Sequence, residues 1–137
     1  MTRDVRSLVR VVPVVEPTAT LADAEAALRS SGGREAVAVV HHDRLVGLVM
    51  ADDLAAARPS AATTLLIGEA RSALARIPVQ SIMRRDVTTI VPDTPIAEAA
   101  RLMRDGSGPL AVLAGDDLVG LVGAAELLSE VEREESS

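Results

Sequence analysis

Three acids stand where a short apolar run gives way to polar sequence: Asp52 and Asp53 after "LVGLVM", and Glu126 after "LVGLVG". In the first turn of a helix a carboxylate caps free N–H groups and opposes the positive end of the helix dipole, which is the ordinary task for such a residue. His41, His42 and Asp43 are residue types that ligate metals. Neighbours in a tight turn point apart, however, and no third and fourth ligand accompany them, so "HHD" reads as a hairpin turn. The two histidines are adjacent, which leaves no distant imidazole to serve as a base. There is also no Ser or Thr in a nucleophile elbow and no glycine-rich phosphate loop, so catalysis is not expected.

Composition narrows the chemistry further. The chain has no Cys, which excludes disulfides, thiolate nucleophiles and Cys-based zinc sites. All 14 basic residues are Arg, which excludes Schiff-base lysines and the lysine of a P-loop. Aromatic residues are absent too, so no base or sugar ring can stack on a side chain, and readers of single-stranded nucleic acid are disfavoured. A net charge of −6 argues against attraction to nucleic acid or anionic membranes, while a local Arg cluster can still meet a small anionic ligand. The start, "MTRDVRSLVR", is broken by charges, and no run approaches the roughly 18 apolar residues of a membrane span. A cytoplasmic protein with no catalytic cofactor is the expectation.

The elements that position these residues come in two copies. "LVGLVMADDL", from Leu45, returns as "LVGLVGAAEL", from Leu118, with seven of ten positions identical. Extended backwards, the stretch from Thr20 lies over that from Pro95 at a shift of 75 residues, which becomes 73 after a Gly/Ser segment. Loops tolerate such length changes. Upstream, "VRSLVR" from Val5 resembles "VQSIMR" from Val79. The length and order of the match identify an internal duplication.

In the second copy Thr94 suits a helix N-cap and Pro95 the first turn, with Ile96, Ala99, Ala100 and Met103 on one helix face. Leu21, Ala24 and Leu28 form the matching face of the first copy. "AVAVV" and "LAVL" each lead through a turn into "LVGLV", a hairpin of continuously apolar strands expected to be covered on both faces. Helices follow from Ala51 to about Ala57 and from Ala124 to about Arg133. Short strands precede each unit, in "VVPVV" and "VTTIV", so each copy reads β-α-β-β-α. One copy alone buries little surface, and two copies facing each other close a common core. The expected division is residues 1–57 as the first unit, 58–78 as a connector with a helix around Thr64 to Arg76, and 79–137 as the second unit with a frayed acidic tail.

With these motifs in place, the sequence resembles a tandem pair of CBS (cystathionine β-synthase) domains, a Bateman module, over nearly its whole length. The most specific parts are "VQSIMRRDVTTIVPDTPIAEAARLM", "GPLAVLAGDDLVGLVGAAEL" and "HHDRLVGLVMADDL". The resemblance implies an α/β (α+β) fold of two β-α-β-β-α CBS units packed sheet to sheet with pseudo-twofold symmetry. It further implies frequent homodimerisation, clefts between units that bind AMP, ADP, ATP or S-adenosylmethionine, and regulation of a partner protein.

In that family a GxxTxxD type motif joins the last strand to the last helix. Its Asp can accept both ribose hydroxyls, and its hydroxyl residue can hold a phosphate. Mapped here, Gly47 is followed by Met50 and Asp53, so the first copy keeps the acid but not the hydroxyl. Gly120 is followed by Gly123 and Glu126, an acid longer by one methylene. Met50 suits packing against an adenine face or the core, and Gly123 lets backbone N–H groups approach an oxyanion. The segment entering the first strand of a unit contacts the nucleotide in the family, which here assigns Thr89 to the base and Arg84 or Arg85 to phosphate. Arg10 lies in the matching stretch of the first copy, which has no Thr. Two functions follow from the resemblance: a stand-alone sensor of an adenosine derivative that signals to a separate partner protein, or a ligand-free dimerisation scaffold.

Overall fold

The computed structural model describes residues 4–31, 36–57, 76–105 and 108–136. The chain divides into two compact units, one formed by Val12–Arg85 and the other by Met1–Val11 together with Asp86–Ser137.

In the unit Val12–Arg85 the order is β1 (Val14–Val15), α1 (Leu21–Ser30), β2 (Ala36–His41), β3 (Arg44–Met50) and α2 (Ala51–Ala57). The sheet runs β1-β2-β3, with β1 parallel to β2 and β2 antiparallel to β3. Thr20 caps α1 in a reciprocal capping box: its hydroxyl accepts from the Asp23 N–H at 3.2 Å, and the Asp23 carboxylate accepts from the Thr20 N–H at 3.0 Å. The expected face, Leu21, Ala24 and Leu28, is buried against Val37, Val39 and Val49 of the sheet. Each strand residue here shields a helix that would otherwise leave its apolar stripe in water, and burial of this kind is the main driving force of folding.

The second unit repeats the plan with β4 (Thr89–Ile90), α3 (Ile96–Asp105), β5 (Leu110–Ala114), β6 (Asp117–Val122) and α4 (Ala124–Ser136). Its sheet order is β4-β5-β6, again one parallel and one antiparallel pair. Even the irregularity is duplicated: a register shift falls between Val39 and Val40 in one hairpin and between Val112 and Leu113 in the other. The hairpin turn at "HHDR" places both His42 (φ 51°) and Asp43 (φ 64°) in the left-handed region, as a tight two-residue turn requires.

Two expectations need correction. Helix α3 begins at Ile96, one residue later than a Thr94 cap requires. Pro95 stands where Thr20 stands in the first copy, and the Thr94 hydroxyl instead accepts the Val91 N–H at 3.1 Å, closing the preceding turn. Helix α4 continues to Ser136, beyond Arg133. No Gly or Pro follows Gly123, and Glu and Arg are good helix formers, so nothing local stops it. The connector helix expected around Thr64 to Arg76 lies outside the described residues, apart from Arg76 itself.

Each unit is completed by an arm that precedes the other repeat in sequence. The arm Val79–Arg84 opens with a 3-10 turn and docks in the unit Val12–Arg85: Val79 is fully buried in the core with Leu21, and its N–H donates to the Ala19 carbonyl at 2.7 Å. The arm Val5–Arg10 docks in the same way in the unit that holds α3. Val5 is fully buried with Ile96, and its N–H donates to the Thr94 carbonyl at 3.0 Å.

Candidate functional site

Each arm ends on an arginine that pairs with the outer edge of the unit's last strand. Arg84 and Leu48 exchange both backbone hydrogen bonds, at 2.8 and 3.0 Å, and Arg10 and Leu121 do the same at 2.9 Å in each direction. The edge of β3 is thereby closed over one residue pair, as is the edge of β6. This approach depends on the glycine of "LVGLV". A β-carbon on Gly47 would stand 2.7 Å from the Arg84 carbonyl oxygen, and one on Gly120 would collide with the Arg10 carbonyl and come within 2.7 Å of Val9 Cγ1. The repeated glycine is therefore the seat of the arm.

Seating the arm delivers its arginine to the acid at the head of the following helix. Helix α2 starts at Ala51, directly after β3, and puts Asp53 in its first turn. The Arg84 guanidinium grips that carboxylate side-on, with Nε donating to Oδ2 at 3.1 Å and Nη2 to Oδ1 at 3.4 Å. Both side chains keep contact with water, Arg84 at 43% and Asp53 at 31% exposure. In the other unit Arg10 Nε pairs with Glu126 Oε1, and the acid is more enclosed, at 15% exposure. Glu126 also lines a cleft of about 480 Å³ with Ser7, Leu8, Arg10, Ser129 and Glu130.

The residues singled out from sequence thus fall into two groups. Met50, Asp53, Arg84 and Arg85 belong to the unit Val12–Arg85, and Thr89, Gly123 and Glu126 to the other. Asp53 and Arg84 are in direct contact. Met50, the last residue of β3, is buried opposite Ala36, so its side chain serves packing. Arg85 is exposed beside Arg84. Thr89 is exposed on β4 opposite Ala111, and Gly123 is buried just before α4, where its carbonyl accepts the Leu127 N–H at 3.3 Å. The residue that sequence reasoning underrated is Arg10. Its signal was present in the alignment of "VRSLVR" with "VQSIMR", which ends on Arg10 in one copy and Arg84 in the other.

Among the described residues no helix is long and apolar enough to cross a membrane. No curated protein matches the chain. Solved structures do. A Vibrio cholerae protein attributed to acetoin utilization (AcuB) is 26% identical, with all of this chain and 98% of that one covered at a TM-score of 0.73. A CBS domain-containing protein of unknown function from Bacillus anthracis str. Ames Ancestor is 18% identical, covers 96% of this chain and 94% of its own, and superposes at a TM-score of 0.75. The cytosolic domain of the Mg2+ channel MgtE, solved in complex with ATP, is 25% identical over 87% of this chain and 44% of that one, with a TM-score of 0.66. The CBS domain profile matches residues 1–60 and 79–133, the same two segments that carry the duplicated strands, glycines and acids, and the chain therefore belongs to the CBS domain family.

Proposed function

We propose that this CBS pair is a regulatory module that senses an adenosine derivative, one of AMP, ADP, ATP or S-adenosylmethionine, through Asp53 and Arg84, and passes the bound state to a partner protein. The carrying observation is the convergence of Asp53 and Arg84 at the end of β3. A carboxylate that can accept two vicinal hydroxyls then lies within reach of a guanidinium that can meet an anion, and both are partly open to water. The ATP complex of the MgtE cytosolic domain supports the choice of ligand class. Regulation requires only that the ligand bind two arrangements of the module with different affinity. A homodimer is the expected form, on family resemblance.

A second reading is a scaffold without a ligand. Specific observations favour it: Met50 is buried where the family's motif has a hydroxyl, and Arg10 already fills Glu126. A thermal-shift panel of AMP, ADP, ATP, S-adenosylmethionine and adenosine separates the two. A ligand at about 100 times its dissociation constant adds roughly 2.7 kcal/mol to stability, a readily measured shift. A melting temperature unmoved by every compound at millimolar concentration selects the scaffold.

A further inference from the structure

The turn between β2 and β3 brings the chain's two histidines together. His41 ends β2, and along a strand the next side chain would point to the opposite face. His42 leaves the strand with a φ of 51°, and after that left-handed step the two ring centroids lie 3.9 Å apart, with the planes tilted by 54°. The expectation that these neighbours point apart is not met. Ring stacking does not account for the approach, because aromatic pairs favour centroids about 4.5–7 Å apart. The hairpin does not need it either. The equivalent turn of the other repeat, Ala114 to Asp117, closes a hairpin of the same length with Gly115 at a φ of 68° and no imidazole. His42 thus takes up a left-handed backbone where the second copy has Gly, and such positions concentrate at functional sites.

We propose that His41 and His42 form a bidentate imidazole site for a late first-row divalent metal ion, Cu2+ foremost. Two imidazole nitrogens held by one ion at about 2.0–2.1 Å stand about 3 Å apart, a span that rings with centroids 3.9 Å apart reach by small side-chain rotations. Both residues are exposed, so an ion reaches them directly from solution. Among the described residues no group of three or more His, Cys, Asp or Glu side chains could hold a metal, so the pair supplies two ligands and water the rest. That ligand set decides the metal. Imidazole suits Cu2+, Ni2+ and Zn2+, and affinity for a given nitrogen site peaks at Cu2+, whose tetragonal plane accepts two adjacent nitrogens and two waters. Structural Zn2+ sites take four protein ligands, and Mg2+ and Ca2+ prefer oxygen. The neighbouring formal charges offset each other: Asp43 follows His42, and Arg44 shares the last rung of the ladder with His41. The seven residues of β3 separate this turn from α2, so the site stands on the order of 20 Å from Asp53 and is independent of the nucleotide reading.

The test titrates CuCl2 into the full chain by calorimetry in a non-chelating buffer and reads the bound ion by electron paramagnetic resonance. The chain has two His residues and no Cys, so a spectrum with two imidazole nitrogens on one Cu2+ assigns both rings. His41→Ala and His42→Gly install the residues that the other repeat carries at these places, Ala114 and Gly115, so each variant keeps a turn that the protein already forms. Each should weaken Cu2+ binding by about tenfold or more and leave one imidazole in the spectrum, because the second donor acts at the high effective concentration set by the first. Mg2+ at about a hundredfold excess should not displace the copper, since it prefers oxygen ligands. Binding by either variant within about twofold of the wild type, a spectrum without imidazole nitrogen, or displacement by Mg2+ overturns the site.

Discussion

The carbonyl oxygen of Arg84 lies against the α-carbon of Gly47, so closely that a β-carbon there would stand 2.7 Å from it and 2.9 Å from Met83 Sδ. The first of these neighbours is backbone, pinned to Leu48 by two hydrogen bonds, and cannot yield without opening the bridge. Gly47→Ala is therefore expected to destabilise the protein by about 1–3 kcal/mol, the usual range for overpacking a tight site. It should also withdraw Arg84 from Asp53 and so weaken nucleotide binding, although it alters neither residue. Gly115→Ala is the control. Its φ of 68° imposes backbone strain, yet no atom lies within 4 Å of the added carbon, so it should cost about 1–2 kcal/mol and leave binding intact. Urea midpoints and calorimetric titration of the two variants check both halves.

Val5 tests which unit the first arm completes. It lies at the start of the chain, yet its side chain is fully buried among Ile90, Ile96, Leu110 and Val122. Val5→Ala removes buried apolar atoms and should lower stability by about 1–3 kcal/mol. Hydrogen exchange should then speed up at the amides of Ala99, Ala111 and Leu121, with Ala38 and Leu48 keeping their protection. Faster exchange at Ala38 and Leu48 alone would assign the arm to the wrong unit.

Much of this was legible in the sequence. The shared phrase "LVGLV" and the spacing of Leu21, Ala24 and Leu28 are enough to place strands and helices, because period and turn chemistry are local properties. The acids were visible as helix-start residues for the same reason. Arm docking was not legible. Nothing in "VRSLVR" or "VQSIMR" encodes which repeat buries its valine, since either core offers the same Leu or Ile pocket and the choice is made by chain connectivity and tertiary packing. The partner of each acid was hidden with it. Asp53 and Arg84 are 31 residues apart, and only the docked arm brings them together. Copy-specific detail was lost in the other direction: the match of Thr20 to Pro95 shows that the second copy lacks the first copy's cap, yet Thr94 one residue earlier suggested one.

Asp53 and Glu126 occupy equivalent positions and should respond differently to removal. Asp53→Ala is expected to abolish the thermal shift produced by AMP or ATP, because the diol acceptor is lost. Glu126→Ala should leave that shift within about a twofold change in affinity. The reverse pattern in a melting assay of the two variants would move the ligand to the unit that contains α4.

The two arginine–carboxylate pairs also differ in a way that a double-mutant cycle can read without any ligand. Arg84 and Asp53 are both part-exposed, at 43% and 31%, and their coupling should fall near the range of about 0.2–1 kcal/mol measured for surface pairs. Arg10 is similarly exposed at 49%, but Glu126 is at 15%, so its charge is less screened and the pair should couple more strongly. Raising the salt to about 1 M shortens the Debye length to about 3 Å and should erase most of the first coupling while sparing more of the second. The measurement is urea unfolding of wild type, Arg→Met, acid→Ala and the double variant for each pair, at low and high salt. Equal couplings with equal salt response would remove the distinction between an openable acid in one unit and an enclosed acid in the other.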